Sequence, residues 1–357
     1  VPATSQVITV NSGGNITMQG GSSSDTGVGF DSNLLGLSNG SFAMIRSDGT
    51  SQLIEFTAAG SFIVMNGGTV GSNNFANILT ATGSQTIAGD IAAHAPTINM
   101  TGGGSGGVTN EGNRALIGAD VGNQVISASG ITLTGGTGGT ENLAQIRQGS
   151  ASTGLGATQT VTLEGTGSLG LFGGGGVTNL ARLQAYGTSQ TIGFTTGGAL
   201  TLTGGTGASN NFARIQAVNG NQTISGDAEL SITGGASGGA DLNGNFADIR
   251  ANGVSAVQTI LAGNITLLAG ATGQENFAGI IGANQAITAT GDVSLTGGGS
   301  ATSLDGTSGG GSRIGGLGSG GPSPTNLVLN VGNNLTLTGG SVAGVALGSD
   351  TVGGQPT

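Results

Sequence analysis

Three short motifs recur in one fixed order along nearly the whole chain, and this repetition limits the possible folds more than any other feature. The first alternates aliphatic and hydroxyl residues and closes on two glycines, as in Ile131-Thr132-Leu133-Thr134-Gly135-Gly136 and Leu200-Thr201-Leu202-Thr203-Gly204-Gly205, with looser copies at 16–21, 63–68 and 98–103. The second is Asn-Phe/Leu-Ala-x-Ile, as in Asn211-Phe212-Ala213-Arg214-Ile215. The third is Gln-Thr-Ile, as in Gln222-Thr223-Ile224. Gly102 to Gly135 spans 33 residues and Gly204 to Gly234 spans 30.

Alternation with a period of two is the pattern of a strand with one buried face. A unit of this size cannot bury its apolar face alone and must stack on its neighbours. Three strands and three turns per cycle predict an all-β chain wound as a three-sided parallel β-helix, a β-solenoid of roughly nine to ten coils with about 28–47 residues each. A propeller blade, which needs four strands, ranks second. The chain reads as a single solenoid over 1–357: irregular N-terminal coils over 1–66 with a long loop at 21–41, regular repeats over 67–298, and degenerate coils over 299–357.

Composition removes the competing classes. Glycine fills 78 positions, yet hydrophobic residues are 35% and charged residues only 7%, the opposite of a disordered chain. Glycine has no period of three, which excludes collagen. All seven basic residues are arginine, and the formal net charge is -10. Nucleic acid is thereby a poor partner, and a polybasic membrane contact is excluded. No apolar run is long enough to insert into a bilayer.

Parity assigns the faces. Ile131 and Leu133 point inward and Thr132 and Thr134 outward. Asn211 shares the inward parity of Ala213 and Ile215, so Asn74, Asn113, Asn142, Asn179, Asn211, Asn245 and Asn276 are expected to form a structural ladder, each amide donating to one neighbouring coil and accepting from the other. Gln85, Gln124, Gln159, Gln190, Gln222, Gln258 and Gln285 form the candidate second ladder. Phe75, Phe212, Phe246 and Phe277, with Leu143 and Leu180, have the opposite parity. They are expected in the core or at a corner, with an outward apolar stripe as the alternative.

Catalytic chemistry is sparse. His94 and Tyr186 are single copies, there is no cysteine, and carboxylates such as Asp90, Asp120, Asp227, Asp248 and Asp292 are scattered rather than paired. The expectation is a protein that is not an enzyme, with no cofactor and no metal.

The segments 291–298 (Gly-Asp-Val-Ser-Leu-Thr-Gly-Gly) and 263–267 (Gly-Asn-Ile-Thr-Leu) resemble the filamentous haemagglutinin-like β-helical exoproteins and adhesins of Gram-negative bacteria, and the style of repeat extends over most of the chain. The resemblance implies export and a surface or matrix role. The start at Val1-Pro2-Ala3, without Met, is read as an expectation of a mature secreted form whose leader has been removed. The third motif opens at Gln6-Val7-Ile8, and the segment 341–347 aligns with the second motif. A second molecule would therefore continue the cycle, so Gln6, Val7, Ile8, Val342, Ala343, Val345 and Leu347 are the candidate subunit interface of a head-to-tail homopolymer. The expected function is a structural subunit of an extracellular fibre or sheath. The alternative is an adhesin stalk that binds surface glycans or host and matrix surfaces. An ice-binding Thr-x-Thr array and a polysaccharide-active enzyme rank below both.

Overall fold

The computed structural model describes residues 4–22, 41–107, 112–240, 243–299, 310–316 and 325–348. The long loop at 21–41 lies, apart from its ends, outside the described residues. The chain is a parallel β-solenoid. Its strands fall into two sheets, one of 16 strands and one of 10. Every strand in the 10-stranded sheet pairs in parallel with strands one coil away, so the described residues form ten coils. At about 4.8 Å per coil the stack is roughly 45 Å long.

Each coil has three sides, named here after the motif they carry. The first side carries Gln-Thr-Ile and the second carries the strand that ends in Gly-Gly. These two sides share the 16-stranded sheet. In coil 4 they form one continuous strand, Gln124–Thr134, and in coil 7 another, Asn221–Thr233. The sheet turns the corner between them at register shifts, between Ala128 and Gly130 in coil 4 and between Ile224 and Ala228 in coil 7. The third side carries the Ala-x-Ile strands, such as Leu143–Gln148 and Ala213–Ala217, and is the 10-stranded sheet.

The repeat forms this fold because each inward position stacks on its own copy. Ile98, Ile131, Leu169, Leu200, Leu230, Ile265 and Val293 are register partners in successive coils and form one buried column. Ala144, Ala181, Ala213, Ala247 and Ala278 form another on the third side. These columns belong to one hydrophobic cluster that runs from Met18 to Ile314 and draws on all three sides. Each large aliphatic side chain buried in it contributes about 1.5–3 kcal/mol.

The Gly-Gly pairs allow the second and third sides to close. A Cβ on Gly102 would stand 2.8 Å from the carbonyl oxygen of Asn142 and from the nitrogen of Gly136, both in the next coil. A Cβ on Gly205 would stand 2.5 Å from the Cβ of Asn211. The glycine here is required by the close approach of two backbones, because neither residue has a left-handed φ.

Ile215 is fully buried, whereas Thr203 is half exposed on the outer surface of the second side. Ile215→Asp places an unpaired carboxylate in the core and is expected to unfold its neighbouring coils, while Thr203→Asp changes stability by less than about 1 kcal/mol. Thermal melting of the two variants, read by circular dichroism, checks the assignment of faces.

Candidate functional site

The inner first side carries an unbroken amide ladder. Gln6, Gln52, Gln85, Gln124, Gln159, Gln190, Gln222, Gln258 and Gln285 are register partners across nine coils. Each Nε2 donates to the Oε1 of the glutamine in the preceding coil, through eight bonds of 2.6–2.8 Å. The same nitrogens lean toward carbonyl oxygens of the third side: Gln85 donates to Gly118 at 3.0 Å and Gln159 to Gln184 at 3.1 Å. The ladder thus ties two sides of each coil together as well as linking successive coils. Gln52 escaped sequence reasoning because Ser51-Gln52-Leu53 breaks the Gln-Thr-Ile pattern. Ile54, two residues on, was the available signal. Gln6, expected only at an interface, is also the first rung.

The asparagine column is built differently from the expected amide-to-amide ladder. Each Oδ1 accepts the backbone N–H at the equivalent position of the preceding coil, from Ser41 N–H to Asn74 Oδ1 down to Asn245 N–H to Asn276 Oδ1, at 2.7–2.9 Å. Each Nδ2 donates to turn carbonyls, such as Asn142 to Gly106 and Gly138 at 2.6 Å and Asn211 to Gly176 at 2.7 Å. The reason is local. The residue before the asparagine is left-handed in Asn73, Glu141, Thr178, Asn210 and Glu275, which turns the chain and leaves the asparagine N–H without a strand partner. The side chain of the next coil supplies that partner.

The outer surface of the third side differs from the threonine-rich surface of the other two. Phe212, Phe246 and Phe277 lie here, outside the core cluster and immediately before the third-side strands, the corner position of the expected core or corner placement, with Phe212 buried and the other two half-buried. Their rings stack on one another with centroids 4.7 Å apart, and the guanidinium of Arg214 lies 4.7 Å from the Phe212 and Phe246 centroids. Alternation places them outside, and stacking with their own copies shields them there.

All seven arginines of the chain stand in strands of this one sheet: Arg46, Arg114, Arg147, Arg182, Arg214, Arg250 and Arg313. Each is partly exposed. Asp248, fully buried, pairs with Arg214 at 2.7 Å and with Arg250 at 2.9 Å, and Arg147 pairs with Asp120 at 2.5 Å. Arg182 has no carboxylate partner among the described residues, and its Nε is buried without a hydrogen bond. Burial holds the guanidinium of Arg182 down to about 10, and the like charge of Arg214 acts in the same direction. Burial acts likewise on Arg114 and Arg250.

The candidate interface residues fall at the two ends of the stack. Val7 and Val342 are exposed and Ala343 is buried, while Gln6, Ile8, Val345 and Leu347 are half-buried. Ala343 occupies in coil 10 the place that asparagine holds in coils 2–8. Among the described residues no group of three or more His, Cys, Asp or Glu is placed to hold a metal ion, and no helix is long and apolar enough to cross a membrane. No family model, curated protein or solved structure matches the chain.

The ladder ends at Gln285, whose register partner in coil 10 is Leu327 and whose Oε1 is buried with no hydrogen bond among the described residues. Leu327→Gln supplies the missing donor and is expected to stabilise the protein by about 1 kcal/mol, whereas Gln190→Leu strands the amides on both sides and costs about 2–3 kcal/mol. Chemical denaturation of both variants checks the sign and the order.

Proposed function

We propose that this chain is a structural subunit of an extracellular bacterial fibre or sheath, exported to the cell surface and elongated by stacking coil on coil. The observation that carries this reading is the regularity of the stack. Nine glutamines in nine successive coils form one continuous hydrogen-bonded line, and the parallel strand bonds that join one coil to the next are those that would join a further coil to either end.

Both end coils offer what stacking requires. In coil 10, Leu335 and Leu337 are each 47% exposed, although their register partners in coil 9, Val293 and Leu295, are fully buried. In coil 1, Ile8, Val10 and Ile16 are half-buried against the core cluster. The outer strands also carry backbone donors and acceptors with no partner strand beyond them among the described residues, which is the condition under which edges recruit further strands. A contact of this kind repeats without closing and yields a filament.

End-to-end growth is expected to depend on these coils alone. Leu335→Asp with Leu337→Asp, or Val345→Pro, should reduce fibre length at least about tenfold while leaving the melting of the body nearly unchanged. Electron microscopy and light scattering of the full chain read the outcome. A wild-type chain that stays monomeric at high concentration overturns the reading.

A further inference from the structure

The charges of this protein are divided across the coil. The seven arginines lie on the third side, where Asp48, Asp120 and Asp248 pair with Arg46, Arg147, Arg214 and Arg250. Six carboxylates lie at the corner between the first and second sides, which in a three-sided coil is opposite the third: Glu55, Asp90, Glu164, Asp227, Glu229 and Asp292. Asp90, Asp227, Glu229 and Asp292 are exposed, and Glu55 and Glu164 are half-buried. Their local partners are largely neutral. Glu164 accepts from Ser127 at 2.8 Å, Glu229 from Asn264 at 2.9 Å and Asp227 from Thr290 at 2.6 Å, while Asp90 meets His94 at 2.5 Å. The negative charge of the corner is therefore mostly uncompensated within the rod.

The arginine face is also incomplete. Arg182 stands in register with Gln145 of the preceding coil and Arg214 of the next, without an acid partner among the described residues. The Nε atoms of Arg147 and Arg250 and the Oδ1 of Asn77, a residue 1% exposed on the same outer surface, are buried without hydrogen-bond partners. A row of partly enclosed cations lowers stability unless something anionic meets it.

We propose that copies of this chain pack side by side, the arginine face of one receiving the acidic corner of the next. The occupant is a second copy because that copy supplies the matching charge at the matching spacing. The arginines stand in coils 1, 3, 4, 5, 6, 7 and 9 and the corner carboxylates in coils 2, 3, 5, 7 and 9, so two parallel rods in register oppose acid to base in coils 3, 5, 7 and 9, at multiples of the coil rise of about 4.8 Å. Isolated surface ion pairs contribute little, but a row of them on a partly desolvated face adds up. Face and corner are different surfaces, so the contact repeats without closing and produces a ribbon of parallel rods. The contact sets the width of an assembly and end stacking sets its length, so the two readings fail separately.

The test uses the full chain, with sedimentation velocity and electron microscopy at low salt and at about 0.5 M salt. Side-by-side pairs and ribbons are expected at low salt and should dissociate at high salt. Glu164→Lys with Glu229→Lys, and separately Arg147→Glu with Arg182→Glu, should each weaken lateral association at least about tenfold. Mixing the two variants restores acid against base on both surfaces and should restore association. Arg182→Met separates folding from association: it should melt no lower than wild type, since it removes a buried cation, yet associate more weakly. Lateral association that survives high salt or is unmoved by the acidic-corner variant overturns the proposal. So does a chain that stays single at low salt while its arginine face binds heparin, an outcome that assigns the face to an acidic polysaccharide.

Discussion

Among the described residues each strand position lies against the equivalent position one coil rise away, and that constraint governs which residues the chain can use. A column tolerates only side chains that pair with their own kind. Aliphatic groups interdigitate, phenyl rings stack at 4.7 Å, and glutamine amides donate on one side and accept on the other. Charges cannot do this, because like charges at that spacing repel. The low charged fraction of 7% follows from the stacking rather than from any need for neutrality. Where Arg182 and Arg214 do stack in register, the next position of the column is Asp248, which binds Arg214.

The glycine pairs and the asparagines act as one device. The Gly-Gly backbone approaches the asparagine strand so closely that a Cβ at Gly102 would overlap the backbone of the next coil. That approach brings turn carbonyls within reach of the asparagine Nδ2, as with Gly106 and Gly138 around Asn142. Removing either partner leaves the other without its contact. The glycine content, which in another sequence would indicate disorder, is here the condition for a tight corner.

The winding, the faces of the first two sides and the identity of most ladder residues were legible in the sequence, because period-two alternation and a repeat in the thirties each have one simple structural reading. What was less legible concerns direction. The inward parity of Asn211 and Gln222 is the same, yet glutamine joins side chain to side chain and asparagine joins side chain to backbone. A left-handed residue precedes five of the seven asparagines, among them those after Asn73, Glu141 and Thr178, so the turn that accompanies the difference has no signature in composition. For Phe212 hydrophobicity favoured the core or a corner while parity pointed outward, and the sequence left the choice open. The stacking that shelters it depends on Phe246 and Phe277 in other coils. The gathering of the arginines on one sheet could have been found in the sequence, since all seven fall in or beside copies of the second motif, but it gains meaning only once the opposite corner is located.

The two ladders also give the rod a direction. In the glutamine line the donor Nε2 of each coil faces the preceding coil, whereas in the asparagine column the acceptor Oδ1 faces it. The asparagine Nδ2 also donates to the preceding coil, from Asn142 to Gly106 and from Asn211 to Gly176, so both ends of that amide are fixed by the coil before it. A coil inverted end for end would present donor to donor in one column and acceptor to carbonyl in the other. Coils can be added only in the parental orientation, and the parallel strands of both sheets impose the same sense. A charged ridge and a charged face on opposite sides of such a rod then keep a constant handed relation along its whole length. In the proposed side-by-side packing, parallel rods carry that relation in the same sense, so the polarity fixed by buried amides at the centre would reach the surface as a restriction on how whole molecules meet.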